Sequence, residues 1–228
     1  TGGILFVGLL IIQLGTQISV NSAVLGYLPP EAAAQFGTST GLALPIPGSV
    51  GLALFGVFGI ISSAFFIILS RTFAQPLSNA SVFPTALTER LGRATLSALI
   101  GGFLVTITVM IGFVFLIIPG LFLAVSYLFF IFAVAIEDCG VTDSLKRSWA
   151  LARGSRLKLS ILVIASGVFG LVLGAIAPLF DLAGVPVAGE IVSVTVATAF
   201  FLSLYAITAS AYLQLRDEQQ QPGRGTTD

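Results

Sequence analysis

Histidine is absent from this chain, and cysteine occurs once, as Cys139. The first absence removes the commonest general base, the usual haem ligand and most transition-metal sites. The second excludes an intramolecular disulfide and any zinc site built from cysteines. Charge is scarce too. Only 9% of residues are Asp, Glu, Lys or Arg, where a soluble domain carries roughly 25%. With 56% hydrophobic residues and a mean hydropathy of +1.06, the chain cannot cover a water-facing surface, so lipid must solvate much of it.

What is present is a series of long apolar runs, at about 3–28, 50–71, 94–118, 121–137, 159–177 and 187–215. Crossing a hydrocarbon core of about 30 Å takes roughly 20 helical residues, so six crossings use nearly all of the 228 residues. The third and fourth runs are together too long for one tilted crossing. Pro119 lacks an amide hydrogen and Gly120 tolerates unusual dihedrals, so Ile118-Pro119-Gly120 reads as a tight turn. The expected fold is an all-α membrane protein of about six transmembrane helices, arranged as three hairpins with cytoplasmic amphipathic elbow helices. Residues 1–215 make up this domain. A Pro- and Gly-rich loop lies near 29–48, a short loop at 179–186, and a disordered cytoplasmic tail at 216–228, rich in Gln, Gly and Thr.

The cations are Arg71, Arg90, Arg93, Lys146, Arg147, Arg153, Arg156, Lys158, Arg216 and Arg224. With six helices all of them fall on one side of the membrane, and the other side carries Glu31, Asp181 and Glu190. The positive-inside rule makes the basic side cytoplasmic, with both termini on it, in a multi-pass protein of the cell membrane. The sequence opens on Thr1, Gly2 and Gly3 rather than Met, and an N-terminal stretch is expected before it. A cleaved signal peptide is the other explanation, but the charge pattern argues against it.

The segment 141–153 has opposed faces. Thr142 suits a helix cap and Asp143 a first turn. At about 100° per residue, Val141, Leu145, Trp149 and Ala152 share one face, and Asp143, Lys146, Arg147 and Arg153 the other. This is the pattern of a helix lying in the interface, with Trp149 at headgroup depth and cations toward anionic lipid. Lys146, Arg147, Trp149 and Arg153 are therefore the candidate lipid- or partner-binding residues, though an elbow that merely anchors its loop fits the same pattern. A weak repeat pairs Phe83-Pro84-Thr85-Ala86-Leu87 with Val141-Thr142-Asp143-Ser144-Leu145, so each hairpin is expected to follow its own elbow. Glu137 and Asp138 end the fourth run. One of them is expected to pair with Arg147 or Arg153 and set the elbow's angle, although two simply solvated carboxylates fit nearly as well.

Gln13, Gln17 and Asn21 recur every four residues in the first run, and amides in hydrocarbon need partners, so this stripe is expected to face the interior. Small residues at Ser166, Gly170 and Gly174, at Gly59 and Ser63, and at Ser97 and Gly101 are expected to let helices approach closely. No lysine lies mid-helix to carry a retinal Schiff base, and charges deep in the bilayer are essentially missing. No Gly-rich phosphate loop or metal cluster is present.

The residues Ile118-Pro119-Gly120, the apolar run to Glu137-Asp138, then Ser144-Leu145-Lys146-Arg147-Ser148-Trp149-Ala150-Leu151 and Arg153-Gly154 resemble one family. They look like the membrane domain of some glycerophosphoryl diester phosphodiesterases and of related stand-alone membrane proteins in bacteria and archaea. The close likeness covers residues 118–160. In that family catalysis belongs to a separate soluble domain, whose histidines this chain lacks, so the resemblance implies the fold and the elbow but no activity. The expected function is that of a non-enzymatic accessory or lipid- or partner-binding membrane protein. A passive carrier using the Gln13, Gln17 and Asn21 stripe is the alternative. Membrane lipids and other membrane subunits are the expected partners; nucleic acid, cofactors and metals are not expected.

Overall fold

The computed structural model describes residues 2–39, 41–74 and 90–220. Regular structure among the described residues is entirely helical, and six stretches are long and apolar enough to cross a membrane: Gly2–Tyr27, Gly48–Phe73, Leu91–Phe115, Ile117–Glu137, Arg156–Leu182 and Pro186–Gln219. The fold is an all-α membrane protein of six such helices. The chain forms two units, Thr1–Ser62 with Ser166–Leu202, and Ser63–Ala165 with Ser203–Asp228.

In the first unit, α1 (Gly2–Tyr27) and α3 (Gly48–Phe73) pack as an antiparallel pair. They approach so closely that a Cβ on Gly51 would stand 2.6 Å from the Ala23 amide nitrogen. Between them lies α2 (Pro30–Ser39), where only a loop was expected. The sequence signals it: Pro30 takes the first helical position, where its missing N–H is no loss, Glu31 sits in the first turn, and three alanines follow. The second pair joins α8 (Arg156–Gly174) and α9 (Ile176–Leu182) to α10 (Pro186–Gln220). The Phe169 and Phe200 rings stack at 3.7 Å. The fifth run does not stop at Pro178, because this residue occupies the first turn of α9, where no intrahelical N–H is needed. The chain turns at Gly184, whose φ of 75° suits glycine. At its far end α10 stays helical to Gln220, past the expected start of the tail at Arg216; residues 221–228 lie outside the described ones.

The second unit is built on α4 (Leu91–Phe115), α5 (Ile117–Ser126), α6 (Phe130–Glu137) and α7 (Val141–Ala152). The α4–α5 hairpin turns at Leu116, in extended conformation (φ −165°, ψ 150°), rather than at 118–120. Pro119 instead falls in the first turn of α5. Gly101 leaves room for the Phe130 ring, and Ile67, Ala94, Ala98, Phe130, Val134 and Ala135 close the core there. The elbow segment 83–87 lies outside the described residues.

The interior is rich in small hydroxyls and an amide: Ser19, Asn21, Ser22, Ser70, Ser126, Ser144, Ser148 and Thr198 are buried, while Val114, Ile118, Leu157 and many like them are exposed. Large apolar side chains such as Phe129, Phe132, Leu9 and Ile67 are buried as well, so what lipid explains is the exposed aliphatic surface. Acyl chains solvate large aliphatic side chains, and close backbone contact and hydrogen bonds hold the inside. Not every small-residue stripe is used that way. A Cβ at Gly59, Gly170 or Gly174 would meet nothing within 4 Å.

Candidate functional site

The corner between α6 and α7 is set by backbone geometry. Asp138 adopts the left-handed conformation (φ 50°) after α6, and Gly140, not Thr142, occupies the N-cap of α7, its carbonyl accepting the Ser144 N–H at 2.9 Å. The end of α6 is closed by Arg71 from α3. Its Nε donates to the Ala135 carbonyl at 2.7 Å and its Nη2 to the Asp138 carboxylate at 2.8 Å. A cation there answers both the unpaired carbonyls and the negative helix end. Arg71 is only 9% exposed, so its charge depends on these partners.

Glu137 faces the other way. Its carboxylate accepts Arg147 Nε at 3.0 Å and the Tyr212 hydroxyl at 2.6 Å. Arg147 Nη1 donates in turn to Gln219 on α10 at 2.9 Å. Helices α6, α7 and α10 are thereby tied through one carboxylate. Behind it the Tyr212 ring lies against Phe129 and Phe132, and Phe132 against Tyr205, with centroids 5.7, 5.6 and 4.9 Å apart. Beside it the half-buried Cys139 thiol is pushed above its ordinary range, first by burial and then by the Glu137 and Asp143 carboxylates.

One hydroxyl docks the elbow. Between α5 and α6 the helical ladder fails at two places. The Phe129 N–H donates to Ser148 Oγ at 3.2 Å, and Ser148 Oγ donates to the Ser126 carbonyl at 2.9 Å. In an unbroken helix those groups would bond to Val125 and Phe130. Ser148 thus fills a kink in a membrane-crossing helix, and it fixes the rotation of α7. The buried face is Ser144, Ser148, Leu151 and Ala152, and the expected Leu145 and Trp149 are half-buried at its margin.

Trp149 packs edge-on against Phe122, with centroids at 5.4 Å, and tilted against Tyr127 at 5.8 Å. The Arg156 guanidinium lies 4.4 Å from the Phe122 centroid and 4.8 Å from that of Trp149. Tyr127, Leu145, Lys146 and Trp149 line an open cleft of 380 Å³. Lys146, Arg153 and Lys158 are exposed and enter no ion pair among the described residues.

In the first unit, Asn21 is 4% exposed. Its Nδ2 donates to the Leu42 carbonyl at 2.9 Å and to Glu190 Oε1 at 3.0 Å, while Glu190 Oε2 accepts the Leu42 N–H at 2.6 Å. Gln17 Nε2 reaches Asn21 Oδ1 at 3.2 Å. Gln13 is half-buried and its side chain makes no hydrogen bond among the described residues.

A family model described as a domain of unknown function, DUF7847, matches residues 1–215. The chain belongs to this family. No curated protein and no solved structure matches it, and the resemblance to the phosphodiesterase membrane domain finds no support in these comparisons.

For this DUF7847 chain, sequence reasoning foresaw the elbow and an ion pair between Glu137 or Asp138 and Arg147 or Arg153, which the structure makes as Glu137–Arg147. It missed that Asp138 turns to Arg71 and that Ser148, Tyr212 and Glu190 fasten helices. Arg71 had a visible signal, a lone cation closing an apolar run. Ser148 had none, since a serine within an amphipathic helix reads as polar face. Among the described residues of the DUF7847 chain, no three His, Cys, Asp or Glu side chains group as a metal site.

Proposed function

We propose that the chain is a non-enzymatic integral protein of the cell membrane, with both termini cytoplasmic, that binds anionic lipid or a partner subunit through its elbow. The observation that carries this reading is the set of exposed, unpaired cations Lys146, Arg153 and Lys158 beside half-buried Trp149. Cations at headgroup level are drawn to anionic lipid by about 1 kcal/mol each. Arg147 leaves the set, because Glu137 and Gln219 hold it. The open glycine face of α8 supports an accessory role, since small residues are what partner helices pack against in lipid. The carrier alternative has less behind it, because Gln17 and Asn21 are spent on internal bonds.

Purification in mild detergent with lipid and partner analysis tests the reading. Retained anionic lipid or a stoichiometric partner is expected; a protein recovered alone and lipid-free ends it. Cys139 tests the topology separately. A membrane-impermeant maleimide is expected to spare it in intact cells and to label it in opened ones. Labelling is slow at neutral pH and rises with pH, as its raised thiol requires. Ready labelling from outside intact cells overturns the topology.

A further inference from the structure

We propose that Arg156, together with Lys146, binds the phosphodiester of an anionic phospholipid at the cleft walled by Trp149. The proposal rests on the lipid-binding reading of the elbow and names the residue that selects the headgroup. Its starting point is an orphan. Arg156 Nε and Nη2 are buried and have no hydrogen-bond partner among the described residues. The Phe122 and Trp149 rings attract the cation through its face. Guanidinium N–H groups, however, point outward in the plane, and ring faces leave them unanswered. Buried donors in native structures are almost always answered, by protein, water or an ion.

Three carboxylates of the second unit are already taken, and Asp143, which enters no ion pair among the described residues, sits in the first turn of α7, more than a turn before Trp149. Glu137 serves Arg147 and Tyr212, Asp138 serves Arg71, and Asp217 serves Arg216. The first turn of α8 holds Arg156 and Lys158 and no acid, so the helix dipole adds to the positive field. An external anion is therefore what this corner lacks.

The cleft says which kind. Trp149 both walls it and carries the guanidinium, while Leu145 and Tyr127 make it apolar beside the Lys146 ammonium. An inorganic anion has no use for Leu145 or the rings. A phospholipid uses both parts, its glycerol and upper acyl chain against them and its phosphate toward the cations. The two free oxygens of a phosphodiester match the Nε–Nη2 edge as a fork. Arg156 does not itself line the cleft but meets it at the shared Trp149 ring, so binding requires this edge to turn from the rings toward the phosphate.

Trp149 is the single tryptophan of the chain, so intrinsic fluorescence reports on this site alone. The purified full chain in neutral detergent is titrated with phosphatidylglycerol. A saturable change in emission is expected, and none with phosphatidylcholine. R156Q should raise the half-response concentration about tenfold, the cost of a lost charged hydrogen bond. R156K should raise it by less, since lysine keeps charge but not the fork, and R216Q, which removes a cation on α10, should not move it. Equal half-responses for R156Q and R216Q remove Arg156 from the site while leaving lipid binding by the elbow standing. Equal responses to the two lipids overturn both readings. An inorganic phosphate response matching phosphatidylglycerol at equal phosphate concentration overturns the lipid assignment. Should R156Q fail to fold, R156K and K146Q are each compared with R216Q, and unchanged half-responses in both overturn the proposal.

Discussion

The two units fasten their helices by opposite electrostatic means. Thr1–Ser62 with Ser166–Leu202 contains no Lys or Arg, and all ten cations belong to the other unit. In the first, Glu190 is held by neutral donors, the Asn21 amide and the Leu42 N–H. In the second, Glu137 and Asp138 are each held by a guanidinium. Both arrangements satisfy a carboxylate, but only the second neutralises it. Under the proposed topology the first unit includes two of the segments that insertion carries across the bilayer, where cations are costly. The charge asymmetry thus extends from loop composition into the means by which helices are joined.

The comparison breaks first at Arg71. R71Q removes the cap of α6 and leaves Asp138 alone, and should lower stability by about 3 kcal/mol, read by denaturant unfolding in detergent. D138N should cost less, since Asp138 is 43% exposed; an equal loss would mean the ion pair, not the cap, is what Arg71 supplies. S148A should cost about 2 kcal/mol by orphaning the Phe129 N–H and Ser126 carbonyl; an unchanged midpoint would put another donor and acceptor there. In the first unit, N21L should cost about 1–2 kcal/mol, whereas Q13L should stay within about 0.5 kcal/mol. Equal losses would show the whole stripe to be structural. A small effect is also expected at Glu137–Arg147, whose side chains are 23% and 26% exposed. A double-mutant cycle with E137Q and R147Q should give a coupling of about 1 kcal/mol or less. A much larger value would make this pair, and not Arg71, the main fastening of the second unit.

The crossing helices were legible because apolar run length decides them, though α2 was not. An ion pair of the 137–138 carboxylates with Arg147 or Arg153 was legible because a turn at Cys139-Gly140 brings them together. Rotation was not. The sequence placed Leu145 and Trp149 on the apolar face of an interfacial α7, but it did not tell which of its side chains the protein itself would bury. In the structure both are half-buried, Trp149 against Phe122 and Tyr127, while Ser144 and Ser148 go inside with Leu151 and Ala152. The glycine stripe of α8 was expected at a close helix contact, and Gly170 and Gly174 meet none within 4 Å. Boundaries slipped at Pro119 and Pro178 for another reason. Each was read as a terminator, yet both serve in first turns, where a missing N–H costs nothing. Partners distant in sequence, such as Asn21 with Glu190 or Arg71 with Asp138, leave no local pattern at all.

The hydroxyl of Ser148 also has a consequence for the order of synthesis. A chain is made from its N-terminus, so the crossing helix Ile117–Glu137 is complete before Ser148 exists. Until then the Phe129 N–H and Ser126 carbonyl have only their ordinary helical partners, and hydrocarbon forbids leaving them bare. The bend in this crossing segment is thus completed by a side chain that lies outside it, so the segment and the elbow have to settle together.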